Sequence, residues 1–334
     1  MFRAQLSQFF PPKPSFTEAD VAPQAGRVFL VTGGASGIGL ALAEVLYRKG
    51  GRVYIAGRSE EKAQQAIQAI QRAVPSSPGG SLEFLYVDLA DLGTIKPAAE
   101  AFKARESRLD VLWNNAGVSQ PPAGSVSKQG TELQLATNCL GPFLLTEQLL
   151  PLLEATAARA APASVRVVWT SSQMMELSTP PGALVMAELH APPADATRNY
   201  VNSKVGNYLL SAELARRQQS ASASASSPSA SPVISVSTNP GAASTNLFRH
   251  TPALRYLAWP LMHPPRLAAL TQLYAGLSAD ISADRNGAHV VPWGRLAAFL
   301  GQDLLDAARR KEDGGTGRAA EFWDFCVEKT QGFR

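Results

Sequence analysis

Tyr200 and Lys204 stand four residues apart in a stretch with helical character, so their side chains would share one face. An ammonium beside a phenol favours the ionised form and lowers a pKa that starts near 10, which would let the phenol exchange a proton near neutrality. Taken alone the pair is a weak sign, because with 7 tyrosines in 334 residues it arises by chance in roughly one chain in five. Its setting strengthens it: the apolar run 165–170 ends in Thr170-Ser171-Ser172, and a serine hydroxyl there can hydrogen-bond a carbonyl oxygen.

A second group of residues suits a phosphate-bearing ligand. The run Val28-Phe29-Leu30-Val31 leads into Thr32-Gly33-Gly34-Ala35-Ser36-Gly37-Ile38-Gly39 and then at once into an apolar helical pattern. In a strand–loop–helix unit of this kind Gly33 permits the tight turn and Gly37 lets the backbone approach a pyrophosphate. Gly39 lets the helix sit close to the sheet, and Ser36 and Ile38 complete the loop at the helix N-terminus. The next strand ends in Gly57-Arg58-Ser59, where an NAD-binding protein would carry a carboxylate for the ribose 2′-hydroxyl. A guanidinium there can pair with a 2′-phosphate, with Lys62 one turn on to assist, so NADP is the expected cofactor. Asp88 ends the third strand where an adenine amino group would lie, although it could equally cap the next helix. The fourth strand ends in Asn114-Asn115-Ala116-Gly117, small and amide-bearing residues that suit a backbone passing close to a cofactor.

These groups must be carried by elements that bring them to one edge. Short β-branched runs alternate with longer helical patterns from Val28 onward, the alternation of a parallel sheet with crossover helices. The expectation is a single α/β domain with a Rossmann-type, doubly wound parallel sheet of seven strands and helices on both faces. The strands are drawn at 28–32, 52–56, 82–87, 111–114, 165–170, 233–237 and 288–291. Residues 1–26, with four prolines and no clear period, read as an arm lying on a domain of 27–295, and 296–334 as a C-terminal helical extension. The Ser/Ala-rich segment 218–232 reads as a mobile loop after a helix over 200–217, and the apolar segment 246–275 as a lid over the substrate.

Composition sets outer bounds. A net charge of +4, from 31 basic and 27 acidic residues without a basic patch, gives no footprint for nucleic acid. Two distant cysteines flanked by apolar residues suit reduced thiols, and no apolar run is long enough for a secretion signal or a membrane span, so a cytoplasmic protein is expected. The four histidines lack ligand-like spacing, and no metal is expected. The expected partner is a small carbonyl or alcohol compound, with a homo-oligomer compatible with the sequence.

Together, Thr32 to Gly39, Arg58, Asp88, Asn114 to Gly117, Asn138, Ser172, Tyr200 and Lys204 resemble the short-chain dehydrogenase/reductase family over about residues 27–295. The likeness extends to fungal members of the retinol-dehydrogenase-like branch, which share a proline-bearing arm, a stretch like Asn286-Gly287-Ala288 leading to Pro292-Trp293-Gly294, and a tail like Glu321-Phe322-Trp323. The resemblance implies that Asn138 holds a proton-relay water, Ser172 (or Ser171) polarises the carbonyl, Tyr200 is the acid/base, and Lys204 binds the nicotinamide ribose while tuning Tyr200. It implies likewise that Asn239-Pro240-Gly241 and Thr245 form the turn against the nicotinamide, and that the 28-residue gap from Ser172 to Tyr200 shapes the substrate entrance. The activity so implied is NADPH-dependent reduction of a ketone or aldehyde, reversible in principle, with a role in fungal secondary metabolism; the apolar side chains of 247–273, among them Leu247, Tyr256 and Trp259, point to a lipophilic substrate. Two rivals remain. A catalytically silent dinucleotide-binding regulator would have no need of all four of Asn138, Ser172, Tyr200 and Lys204. A sugar-nucleotide epimerase would carry a differently spaced glycine loop and a larger C-terminal domain.

Overall fold

The computed structural model describes residues 2–224, 231–245, 247 and 261–334. Its centre is a sheet in the order β3-β2-β1-β4-β5-β6-β7-β8. The strands are β1 (Val28–Thr32), β2 (Arg52–Gly57), β3 (Ser81–Tyr86), β4 (Val111–Asn114), β5 (Arg166–Thr170), β6 (Ile234–Thr238), β7 (His289–Val291) and β8 (Arg295–Leu296). All pair in parallel except β7 with β8, a short antiparallel return in which Val290 faces Leu296. The two-residue β8 is the strand absent from the sequence-based count of seven; so short a segment carries no periodicity to read.

Strands β1, β4, β5 and β6 are buried at every position, as expected of parallel strands covered on both faces. On one face lie α4 (Ile95–Lys103), α5 (Gly141–Ala157), α6 (Ala196–Ser224) and α8 (Arg318–Thr330). On the other lie α2 (Gly37–Arg48), α3 (Glu60–Ala73) and α7 (Pro265–Leu277). α8 is part of the core rather than an appendage, since Phe322 and Cys326 are fully buried in it.

Three expectations change. The arm is not without regular structure: residues Phe2–Phe9 form a helix, α1. The segment expected as a loop from 218 is helical to Ser224, and only 225–230 lie outside the described residues. Alanine favours the helix, and Gln218 anchors it by donating to Glu154 at 2.8 Å and accepting from the Val233 backbone at 3.3 Å. The rear of the expected lid is α7, whose Ala268, Ala269, Leu273 and Tyr274 are core; most of its front, 246 and 248–260, lies outside the described residues.

α7 packs closely enough on the sheet to make a sharp test. A Cβ at Gly276 would lie 2.2 Å from Cζ2 of Trp113, a fully buried ring whose Nε1 donates to the Gln272 carbonyl at 3.0 Å. Gly276→Ala should therefore cost about 1–3 kcal/mol and lower the melting temperature by several degrees, despite alanine's better helix propensity. A rise on thermal denaturation would contradict this packing.

Candidate active site

The glycine loop and the turn after β4 are held together by one hydroxyl. Thr32 Oγ1 accepts from the backbone N–H of Asn115 at 2.9 Å and of Ala116 at 3.0 Å, and donates to the Trp113 carbonyl at 3.1 Å. Asn115 Nδ2 returns a bond to the Thr32 carbonyl at 2.8 Å. β1 and β4 are sheet neighbours from which the chain winds outward in both directions, so this knot sits at the topological switch point, where open α/β sheets bind ligands. Ser36, the N-cap of α2, makes no side-chain cap, so the first-turn N–H groups can meet an anion. A Cβ at Gly39 would lie 2.5 Å from the Gly33 carbonyl, which explains why only glycine lets α2 start here.

β5 delivers the second half of the site. α6 begins behind an Asp195 side chain that accepts from Thr197 N–H at 2.8 Å, and it turns a stripe of Tyr200, Ser203, Lys204 and Asn207 inward, all buried. Lys204 Nζ and Asn207 Nδ2 both donate to the Thr170 carbonyl at 2.9 Å. The two adjacent serines differ. Ser171 is spent structurally, donating to the Lys204 carbonyl at 2.7 Å, whereas Ser172 Oγ only accepts from the Met174 N–H at 3.2 Å and lines the cavity beside Tyr200.

One cavity of about 690 Å³ gathers most of the expected site residues: Gly33, Ser36, Gly37, Ile38, Asn115, Ser171, Ser172, Tyr200, Lys204 and Thr245, with the Asn239-Pro240-Gly241 turn beside them. Thr245 stands over the loop, its Cγ2 3.0 Å from where a Gly37 Cβ would be. Five do not line it. Gly39 serves packing; Arg58 and Lys62 are exposed beyond the end of β2. Asp88 accepts from the Ala90 N–H at 3.0 Å, a local turn. Asn138 lies behind the cavity in a π-helical turn, Ala136–Leu140, with both amide hydrogens donated, to the Val118 carbonyl at 3.0 Å and Ser203 Oγ at 2.9 Å. Lining residues that sequence reasoning missed include Phe9, Met174 and Leu177. The one hint for Phe9 is the adjacent Phe9-Phe10 pair in the arm.

One electrostatic expectation fails. The sequence spacing has Lys204 depress the Tyr200 phenol, yet burial pushes Tyr200 up to about 12, with the neighbouring Ser172 hydroxyl pulling the other way. The ammonium is directed to Thr170 and stands 5.5 Å from the phenol ring centre, while burial brings Lys204 itself down to about 8.

The family profile for short chain dehydrogenases matches residues 27–183. A short-chain dehydrogenase/reductase of the fungus Pestalotiopsis fici, iacJ, is 41% identical over 324 residues, covering 96% of this chain and 95% of its own. The chain belongs to the short-chain dehydrogenase/reductase family. Among solved structures, an uncharacterized Mycobacterium paratuberculosis protein aligns with TM-score 0.69 at 27% identity over 95% of this chain and 97% of its own. The Pseudomonas aeruginosa RhlG/NADP active-site complex aligns with TM-score 0.60 at 25% identity over 80% and 94%. As a short-chain dehydrogenase/reductase the protein is an oxidoreductase that binds a nicotinamide cofactor, and the free helix N-terminus and glycine cradle fit such a group. Among the described residues no helix is long and apolar enough to cross a membrane.

Burial of Lys204 makes a prediction about stability. Below pH 8 the amine is protonated in both native and unfolded states, and the native state carries the full cost of burying a cation. Between about 8 and 10.5 only the unfolded state keeps the proton, so this cost fades as pH rises. Lys204→Met removes that cost and the bond to Thr170, leaving a net gain of roughly 2 kcal/mol at pH 7 in the cofactor-free protein. Melting temperatures compared at pH 7 and pH 10 should show the variant's advantage shrinking; a constant or growing gap would contradict the assignment.

Proposed function

We propose that this protein is an NADP(H)-dependent oxidoreductase that interconverts a lipophilic carbonyl compound and its alcohol, with Tyr200 as acid/base. The observation that carries the reading is the meeting of Ser172, Tyr200 and Lys204 with the glycine loop on one cavity. The nicotinamide supplies the hydride for the carbonyl carbon in reduction and accepts it in oxidation.

The chain's own groups account for the rest. Ser172, which lines the cavity with Tyr200 and keeps its hydroxyl proton to donate, can hold the carbonyl oxygen against the phenol. A phenol pushed up to about 12 stays protonated at neutral pH, the form a reductase needs to deliver a proton to the forming alkoxide. Lys204 tethers this face of α6 to β5 and brings positive charge to the nicotinamide-ribose side. Asn138, with both amide hydrogens in use, would contribute to a proton relay through its oxygen atoms rather than its amide N–H.

For the cofactor, Gly33, Ser36, Gly37, Ile38 and Gly39 would hold the pyrophosphate, Asp88 and Asn115 the adenosine half, and Thr245 the nicotinamide end. Arg58 makes no hydrogen bond or ion pair among the described residues, and Ser59 Oγ accepts from Lys62 N–H at 3.3 Å while keeping its own proton to donate. These groups, with the NADP in the RhlG complex, support a 2′-phosphate preference.

Fluorescence titration should show NADPH binding about tenfold or more tightly than NADH, and Arg58→Asp should reverse the order. Tighter NADH binding by the native protein would refute the cofactor assignment. Tyr200→Phe should lower kcat by about 10²–10⁴ with NADPH affinity within about twofold, and native-like turnover in that variant would remove Tyr200 from its role.

A further inference from the structure

The N-terminal helix α1 is fastened to the catalytic face at several separate points. Gln8 is buried, 3% exposed, and bridges the turns after β5 and β6: its Nε2 donates to Glu176 at 2.9 Å and its Oε1 accepts from Asn239 Nδ2 at 2.7 Å. Gln173 Nε2 donates to the Gln5 carbonyl at 3.2 Å, and the Arg295 guanidinium to the Ser7 carbonyl at 2.8 Å. His263 Nε2 donates to the Phe9 carbonyl at 3.2 Å. Gln173 and Glu176 follow Ser172 closely, and Asn239 opens the turn whose Gly241 lines the cavity.

This fastening brings Phe9 into the wall of the cavity that holds Ser172 and Tyr200, together with Met174, Leu177 and Leu247. An arm that merely covered the sheet would not need a buried glutamine with both ends of its amide satisfied by residues flanking the site. Leaving either Glu176, whose side chain is 2% exposed, or Asn239 unpartnered would carry a desolvation cost, so the bridge fixes α1 in one position. The four wall residues are an aromatic ring, a thioether and two branched alkyl groups. None can donate a strong hydrogen bond, and together they match an apolar body rather than a sugar or a carboxylate.

We propose that α1 is the specificity element of the active site: Phe9 contacts the apolar body of the carbonyl substrate, and Gln8 is the positioning residue that holds Phe9 there. This rests on the carbonyl-reductase reading above, and the test separates the two.

Two ketones serve as probes, bicyclic trans-1-decalone and small 2,3-butanedione, in the full-length protein with NADPH. Phe9→Ala should lower the ratio of kcat/KM for decalone over butanedione by about tenfold, since losing apolar contact in a pocket carries discrimination of that size. Gln8→Ala should move the same ratio the same way through KM for decalone, and Leu6→Ala, at an exposed neighbour, should not move it. A second arm does not need turnover. Cys139 and Cys326 are the only cysteines and both are fully buried, so Phe9→Cys introduces the one accessible thiol. Its reaction with a thiol reagent should slow about fivefold when NADP⁺ and decalone are added together, while Leu6→Cys keeps its rate.

A ratio unchanged in Phe9→Ala, or equal labelling of Phe9→Cys with and without decalone, overturns the proposal while leaving the reductase reading intact. If the native protein turns over neither ketone, the labelling alone decides: protection sustains the wall and counts against reduction of these ketones, and no protection removes the wall.

Discussion

The carbonyl oxygen of Thr170 is the fixed point of this site. It is the last carbonyl of β5, and Lys204 and Asn207 reach it from successive turns of α6 at 2.9 Å each. Ser171 ties the same join from the other side by donating to the Lys204 carbonyl. From the opposite face of the sheet, Gln272 of α7 donates to the hydroxyls of Thr170 and Thr238 at 3.0 and 3.2 Å, clamping β5 to β6. With these groups consumed in holding strand to helix, Ser172 and Tyr200 are the hydroxyls left to face the cavity together. The Thr32 knot does the same for β1 and β4, and parallel pairing brings both joins to one edge of the sheet.

That arrangement carries a thermodynamic tension. α6 is buried nearly all round between Tyr200 and Ala215, and its polar stripe would be less costly as alanine or leucine. Most of these groups find a partner: Ser203 bonds the Tyr200 carbonyl and Asn138, and Ser211 reaches Ser235, while the buried Asn202 side-chain oxygen has none among the described residues. An amine is nevertheless buried with a pKa near 8 and a phenol with one near 12, both displaced by burial in the direction that disfavours charge. Sites of this kind are where local consistency of a fold is given up for chemistry.

The sequence made the central parts of this picture legible because they depend on spacing along single elements. A spacing of four from Tyr200 to Lys204 puts both on one helical face, and strand, glycine loop and helix follow one another without interruption from Val28 to Arg48. The choice between Ser171 and Ser172 was not legible, since it turns on which hydroxyl the Lys204 carbonyl captures across 33 positions. The role of α1 was hidden for the same reason: Gln8 and Asn239 meet over 231 positions, and no local pattern reports such a contact. The elevated phenol was misjudged because proximity in sequence suggested an ammonium aimed at Tyr200, while the structure aims it at a backbone carbonyl. The helix past Gln218 was missed because serine and alanine in alternation lack the apolar period that marks a buried face, and the anchor is one glutamine at the start of the run.

The central claim is that this cavity transfers hydride to a carbonyl carbon and a proton from Tyr200 to its oxygen. The most direct measurement gives the protein NADPH dideuterated at nicotinamide C4 with trans-1-decalone, in ordinary water, and examines the product by mass spectrometry and NMR. The expected product is an alcohol carrying one deuterium on the carbinol carbon and none elsewhere, formed by the native protein and suppressed in step with kcat in Tyr200→Phe. An alcohol without deuterium at that carbon, or tight NADPH binding with no reduction across a panel of lipophilic ketones and aldehydes, would contradict it.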